Sequence, residues 1–159
     1  MATQTKTNAA RLLENAKIPF ETREYEVDES DLSGMHIAQQ LNIPAEQIFK
    51  TLVLKGEKIG YFVCCLPVCD ELDLKKTAKA IGDKKCDLIQ MKDLKDLTGY
   101  VRGGCSPVGM KKNFPTLFDE TAELFEIIYV SAGMRGMQIA LDPNALIKFV
   151  DAKTADLAK

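Results

Sequence analysis

The sequence predicts an α+β fold around a mixed, largely antiparallel sheet, in one domain spanning residues 1–159. Three observations lead there. Apolar runs of strand length come in hairpin-like pairs, segments of helical period are interspersed irregularly instead of following every strand, and no repeat, linker or low-complexity stretch divides the chain. A chain of 159 residues buries about 70% of the surface its unfolded form exposes, so it needs no disulfide or metal to fold.

Residues 8–17 put Ala9, Leu12, Leu13 and Ala16 at helical spacing, and Pro19 ends that helix. Residues 20–27 alternate as a strand, Ser33 is an N-cap for a helix burying Ile37, Ala38 and Leu41, and Pro44 starts a short helical turn. The runs 48–54 and 59–66, joined by 55–58 with its Gly56, read as a hairpin at the centre of the fold. Asp73 caps a helix carrying Leu74, Ala78 and Ile81 and closed by Gly82; a second helix near 92–98 ends at Gly99. Residues 100–109 open as a strand and become a Gly/Pro loop, 125–131 and 137–141 read as strands separated by Gly133 and Gly136, and Pro143 begins a last helix with Leu146, Ile147 and Val150.

The composition excludes several classes. The five cysteines include no C-x-x-C pair and the chain has a single histidine, which argues against a disulfide framework or a zinc site and leaves reduced thiols in the core. No run approaches the roughly 18 apolar residues of a membrane span, and residues 1–10 are polar and lack the apolar centre of a signal peptide, so a cytoplasmic protein without a membrane partner is expected. The net charge of −2 is unevenly spread: residues 73–112 hold ten basic and five acidic residues, a local +5 that leaves −7 elsewhere. That excess permits a patch for a polyanion, and solvated lysines on two helices account for it equally.

Two features draw attention as chemistry. In Ile48-Phe49-Lys50-Thr51-Leu52-Val53-Leu54, alternation directs Lys50 to the side of Ile48, Leu52 and Leu54, which is costly for a charge unless it is paired, solvated in a cleft or functional. A lysine at the mouth of the strand, reaching back to water, fits the same pattern. The loop from Arg102 through Gly103, Gly104, Cys105, Ser106, Pro107, Val108 and Gly109 has three glycines, so its backbone can approach a ligand and aim N–H groups at a phosphate or a developing oxyanion. A plain tight turn has that composition too, and the loop matches neither a Walker A motif nor a dinucleotide fingerprint. Cys105 near Arg102, with His36 as base, is a poorly supported nucleophile pair. Ser131, Gly133 and Asp142 lie on or after a second glycine-bearing turn, where they either line a pocket opposite Lys50 or serve as hairpin turn and N-cap.

Phe49-Lys50-Thr51-Leu52-Val53, Gly103-Gly104-Cys105-Ser106-Pro107-Val108-Gly109 and Ser131-Ala132-Gly133-Met134-Arg135-Gly136 occur in this order over nearly the whole chain. Together they closely resemble the YbaK family of free-standing aminoacyl-tRNA deacylases, relatives of the editing domain inserted in bacterial prolyl-tRNA synthetases. The resemblance implies a mixed, largely antiparallel sheet or partly closed barrel surrounded by helices. It also implies an enzyme that works in trans on mischarged Cys-tRNA(Pro), and possible action on Cys-tRNA(Cys), with the substrate thiol cleaving its own ester. Under it Lys50, Gly103 and Gly104 are catalytic, Thr51, Cys105, Ser106, Ser131, Gly133 and Asp142 bind substrate, and no metal or organic cofactor takes part. The partners it implies are aminoacyl-tRNA and, in a ternary complex, prolyl-tRNA synthetase.

Overall fold

The computed structural model describes residues 6–159, so the first five residues of the polar N-terminal stretch lie outside it. In chain order the elements are α1 (Asn8–Asn15), β1 (Phe20–Glu24), α2 (Gly34–Leu41), β2 (Phe49–Gly56), β3 (Tyr61–Pro67), α3 (Leu74–Ile81), β4 (Cys86–Leu88), α4 (Leu94–Thr98), β5 (Thr116–Asp119), β6 (Ile128–Ser131), β7 (Met137–Leu141), α5 (Pro143–Phe149) and β8 (Lys153–Ala155). The helix starts follow from capping chemistry. Side-chain oxygens of Thr7, Ser33, Asp73 and Asp142 accept from otherwise unpaired N–H groups in the first turns of α1, α2, α3 and α5. Gly82 and Gly99 end α3 and α4 in the left-handed region, at φ 84° and 85°.

The strands form two sheets, β1-β7-β6 and β4-β2-β3-β5-β8. The first is antiparallel throughout. The second is mixed, because β5 runs parallel to both β3 and β8. Its centre is the β2–β3 hairpin, with Lys50 opposite Leu66 and Leu52 opposite Cys64. The described strands close no barrel: both sheets end in edge strands, and an isolated parallel bridge between Ile48 and Tyr129 links them.

The sheets pack face to face. Phe49, Val53, Val63, Cys65 and Phe118 of the larger sheet meet Ile128, Val130, Met137, Ile139 and Leu141 of the smaller one, with Leu13 of α1 and Leu146 of α5 completing the cluster. The other face of the larger sheet is covered by α3 through Ala78, and α2 packs Ile37 and Ala38 near Ile48 and Tyr129. The smaller sheet therefore has Ser131 and Gln138 on the parity opposite its core residues.

Some elements depart from the sequence expectation. The strand expected over 20–27 stops at Glu24, and the one expected over 125–131 begins at Ile128. No strand starts at Tyr100, because the backbone turns immediately: Thr98 Oγ1 accepts from the Tyr100 N–H, and the Gly104 N–H donates to the Val101 carbonyl. Strands β4, β5 and β8 carry no signal in the sequence. β4 and β8 have three residues each, and β5 is buried along its whole length, so it shows no polar alternation.

Candidate functional site

A break in strand pairing makes the site. One edge of β2 is paired with β3 along its length; the other is bridged to β6 at Ile48 and joins β4 only from Leu54 onward. Between those contacts Lys50, Thr51 and Leu52 have no neighbouring strand on that side among the described residues. The bonds Val68 N–H to Ile48 C=O and Gly56 N–H to Gly60 C=O set the alternation, so the backbone N–H and C=O of Thr51 point away from β3, into the gap. The gap is a cavity of about 390 Å³. Its walls are β2 from Phe49 to Leu52, Ser131 and Gln138 of the smaller sheet, the loop before α2 (Asp31, Leu32, Ser33), Met91 and Leu94, and the glycine loop at Arg102, Gly103 and Cys105.

Lys50 is half-buried in this cavity, among Ile48, Leu52 and Val68. Its ammonium donates to the Asp70 backbone carbonyl at 2.6 Å, which leaves two of its three donors without an acceptor among the described residues. Burial pulls its pKa below the ordinary lysine value, opposed by the nearby charges of Asp70, Cys69 and Glu71. Among the described residues no carboxylate forms a salt bridge with it. A cation held in this way suits an incoming phosphate or carbonyl oxygen.

The glycine loop is shaped by close backbone approach. A β-carbon on Gly104 would stand 3.0 Å from the Arg135 nitrogen and 3.1 Å from the Met134 carbonyl carbon, so the absence of a side chain at residue 104 lets the loop seat this closely on the β6–β7 turn. Gly103 adopts φ 82°, Arg135 Nε donates to the Arg102 carbonyl at 2.8 Å, and the Tyr100 hydroxyl donates to the Val108 carbonyl across the loop. The Gly104 N–H is committed to Val101, whereas those of Gly103 and Cys105, both on the cavity wall, have no acceptor among the described residues.

The cavity offers no activated nucleophile. Burial pushes the Cys105 thiol up to about 12, with a smaller opposing effect from Thr98, so it is protonated at neutral pH. Ser33 donates its hydroxyl to Asp31 at 2.6 Å, and His36 lies 3.8 Å from the other oxygen of that carboxylate, an order in which the base does not face the hydroxyl. Among the described residues no group of three or more His, Cys, Asp or Glu is arranged to hold a metal ion, and no helix is long and apolar enough to cross a membrane.

Of the residues singled out in the sequence, Lys50, Thr51, Gly103, Cys105 and Ser131 meet in the cavity. Gly104 stands behind the wall as the contact to the β6–β7 turn. Ser106 is fully buried, and its hydroxyl accepts the Val108 N–H, which braces the loop from inside. Gly133 packs under the Tyr100 ring, and exposed Asp142 caps α5 by accepting the Asn144 N–H at 2.9 Å. Sequence reading missed Gln138, Asp31, Met91 and Leu94 on the walls and Asp70 behind Lys50. Two wider grooves, over 55–57 with 85–93 and over 14–23, contain none of the expected site residues, and in the first Lys55, Lys85 and Lys92 are matched by Glu57, Asp87 and Asp93.

Comparison with known proteins bears on this arrangement. The sequence profile of the aminoacyl-tRNA editing domain matches residues 35–149, which include the β2 edge, the glycine loop and the β6–β7 turn. An Enterococcus faecalis protein provisionally named Cys-tRNA(Pro)/Cys-tRNA(Cys) deacylase EbsC is 48% identical over 155 residues, covering 98% of this chain and 94% of that protein. A proline–tRNA ligase of Thermosipho africanus is 30% identical over 76 residues, 48% of this chain and 13% of the ligase. The crystal structure of a candidate trans-editing enzyme for prolyl tRNA synthetase superimposes with a TM-score of 0.77 at 26% identity, covering 88% of this chain and 87% of the other. The profile match over most of the sequence and the near full-length likeness to EbsC agree with the cavity's cation and open amides: this chain belongs to the aminoacyl-tRNA editing domain family.

Proposed function

We propose that this chain deacylates mischarged Cys-tRNA(Pro) in trans, acts also on Cys-tRNA(Cys), and uses the substrate's own thiol as nucleophile. The observation that supports this most is a cavity that, among the described residues, has a half-buried cation and two unpartnered backbone amides but no ionised protein nucleophile. The name of the E. faecalis relative points to the same substrates.

The need for such an enzyme is physical. A synthetase pocket shaped for a small apolar amino acid rejects one of similar size by only about 1–3 kcal/mol, so a second site must clear the mischarged product. In cysteinyl-tRNA the substrate sulfur attacks its own ester carbonyl. The carbon–sulfur bond forms, the bond to the ribose oxygen breaks, the thiol proton ends on the ribose hydroxyl, and the products are free tRNA and a cysteine thiolactone that water later opens. The protein's task is to hold sulfur against carbonyl, and orientation of this kind supplies roughly 7–11 kcal/mol in favourable cases.

In this proposal Lys50 binds the terminal-adenosine end and polarises it, and the amide of Gly103, with that of Cys105 beside it, receives the carbonyl oxygen as charge develops. Gly104 acts by letting the loop seat closely; Thr51 offers backbone groups and Ser131 lines the far wall. Ser106, Gly133 and Asp142 act through the loop, turn and helix they stabilise. Selection of tRNA(Pro) comes partly from a ternary complex with prolyl-tRNA synthetase in the cytoplasm, with the exposed lysines of 73–112 adding salt-sensitive contacts to RNA. Crosslinking at near-physiological salt tests that complex, and its absence there removes this part of the proposal. Product analysis tests the chemistry: a thiolactone or its trapped derivative is expected, and direct release of cysteine with efficient clearance of Ala-tRNA(Pro) would replace thiol assistance by an oriented water.

A further inference from the structure

We infer that Gln138 reads the α-ammonium group of the bound aminoacyl ester, accepting a hydrogen bond from it through the side-chain carbonyl. This rests on the deacylase reading above and adds a residue to it. Gln138 is 3% exposed, lines the cavity, and has a buried Oε1 with no hydrogen-bond partner, the one such side-chain atom among the described residues. Its backbone cannot slide to relieve this, because β7 is the middle strand of its sheet and residue 138 is paired with Arg23 on one side and Ser131 on the other. Ser131, its neighbour across the strand, does not satisfy the amide: the hydroxyl accepts the Gly133 N–H, and its own O–H makes no hydrogen bond to Oε1. A buried carboxamide oxygen without a partner destabilises the free protein; a turn of the side-chain amide presents it to the cavity, and a ligand donor that meets it there removes the penalty, so the group favours the bound state.

Position selects the donor. Lys50 and Arg102 make part of the wall cationic, which suits phosphate and carbonyl oxygens, and neither side chain hydrogen-bonds to Gln138. The glycine loop seats on Met134 and Arg135, in the turn that leads into β7, so Gln138 is on the side of the cavity where the ester carbonyl is proposed to sit. The donor attached next to that carbonyl is the α-ammonium. Asp31, the carboxylate on the cavity wall, already accepts the N–H and hydroxyl of Ser33 through one oxygen and is exposed.

The test compares Cys-tRNA(Pro) with its N-acetylated form, which loses the ammonium charge and keeps the thiol and ester. Wild type should prefer the free amine by roughly 10- to 100-fold in kcat/KM, the worth of one hydrogen bond to a charged group. Gln138→Met, and Gln138→Leu as a second apolar variant, should lose most of this preference while melting at or above the wild-type temperature, since an unsatisfied polar group has been removed. Gln138→Glu should restore the preference. A role confined to packing would lower both substrates equally, so a preference that survives in both apolar variants, or is absent from wild type, overturns the inference while leaving the deacylase intact. Wild type that cleaves neither substrate overturns the deacylase reading itself, and this inference with it.

Discussion

The two principal walls of the cavity leave different groups open. On β2 it is a cation, Lys50, whose burial is offset by one short bond to the Asp70 carbonyl; on β7 it is a neutral amide, Gln138, whose buried oxygen has no partner among the described residues. The comparison teaches that the same event, a polar side chain directed off the core of a strand, announces itself on one wall and hides on the other. Lysine interrupts an apolar run and is visible as a cost. Glutamine in Met137-Gln138-Ile139 sits on the outward parity of an alternating strand and reads as an ordinary solvent-facing residue.

The largest expected effect breaks the β2 wall. Lys50→Ala should lower kcat/KM on Cys-tRNA(Pro) by at least about 100-fold, the scale of losing one charge-stabilising contact, while circular dichroism retains the native fold. Gly104→Val tests the backing of the wall by driving a side chain into the Met134–Arg135 backbone; a loss of about 1–3 kcal/mol in urea unfolding is expected, with activity falling alongside. Asp142→Ala should cost about 1 kcal/mol by removing the α5 cap and leave kcat/KM unchanged, which separates a capping role from substrate contact.

The pH dependence sharpens the contrast, because Lys50 titrates and Gln138 does not. Burial places the folded Lys50 pKa below its ordinary 10.5, so the native state releases this proton more readily than the unfolded chain does. The sign follows: burying the cation costs stability below the folded pKa, and that cost is relieved as pH rises from the folded pKa toward 10.5. Affinity for a non-cleavable amide-linked cysteinyl-adenosine should move the opposite way, weakening as pH rises through the depressed Lys50 pKa. In Lys50→Arg the part of this loss that follows the Lys50 pKa should disappear, since guanidinium stays charged, leaving the step set by the ligand's own α-ammonium at about pH 8. A mild effect is expected of Cys105→Ala, which should hold kcat/KM within about threefold, because a thiol raised to about 12 supplies little thiolate.

The sequence was most informative where local chemistry decides structure. Caps at Ser33 and Asp73, helix stops at Gly82 and Gly99, and the central hairpin could be read directly; Asp142 stayed open between pocket residue and cap until the structure placed it on α5, and Lys50 and the glycine loop stood out as candidates that the cavity brings together. What escaped depends on contacts between distant residues. Strand β5 needs β3 and β8 on either side of it, and the gap along β2 exists only because β4 begins pairing at Leu54. The same holds for the loop amides: the family resemblance implied donors at both Gly103 and Gly104, but the turn uses the Gly104 N–H internally and leaves those of Gly103 and Cys105 without an acceptor among the described residues.

The central claim is that a cation and open amides, with the substrate's own thiol, are sufficient for ester cleavage in this cavity. The most direct measurement is deacylation of purified Cys-tRNA(Pro), alongside Ala-tRNA(Pro) and Pro-tRNA(Pro), by wild type, Lys50→Ala and Cys105→Ala. The account predicts rapid loss of cysteine alone, abolished in Lys50→Ala and retained in Cys105→Ala. An inactive Cys105→Ala beside an active Lys50→Ala would contradict it.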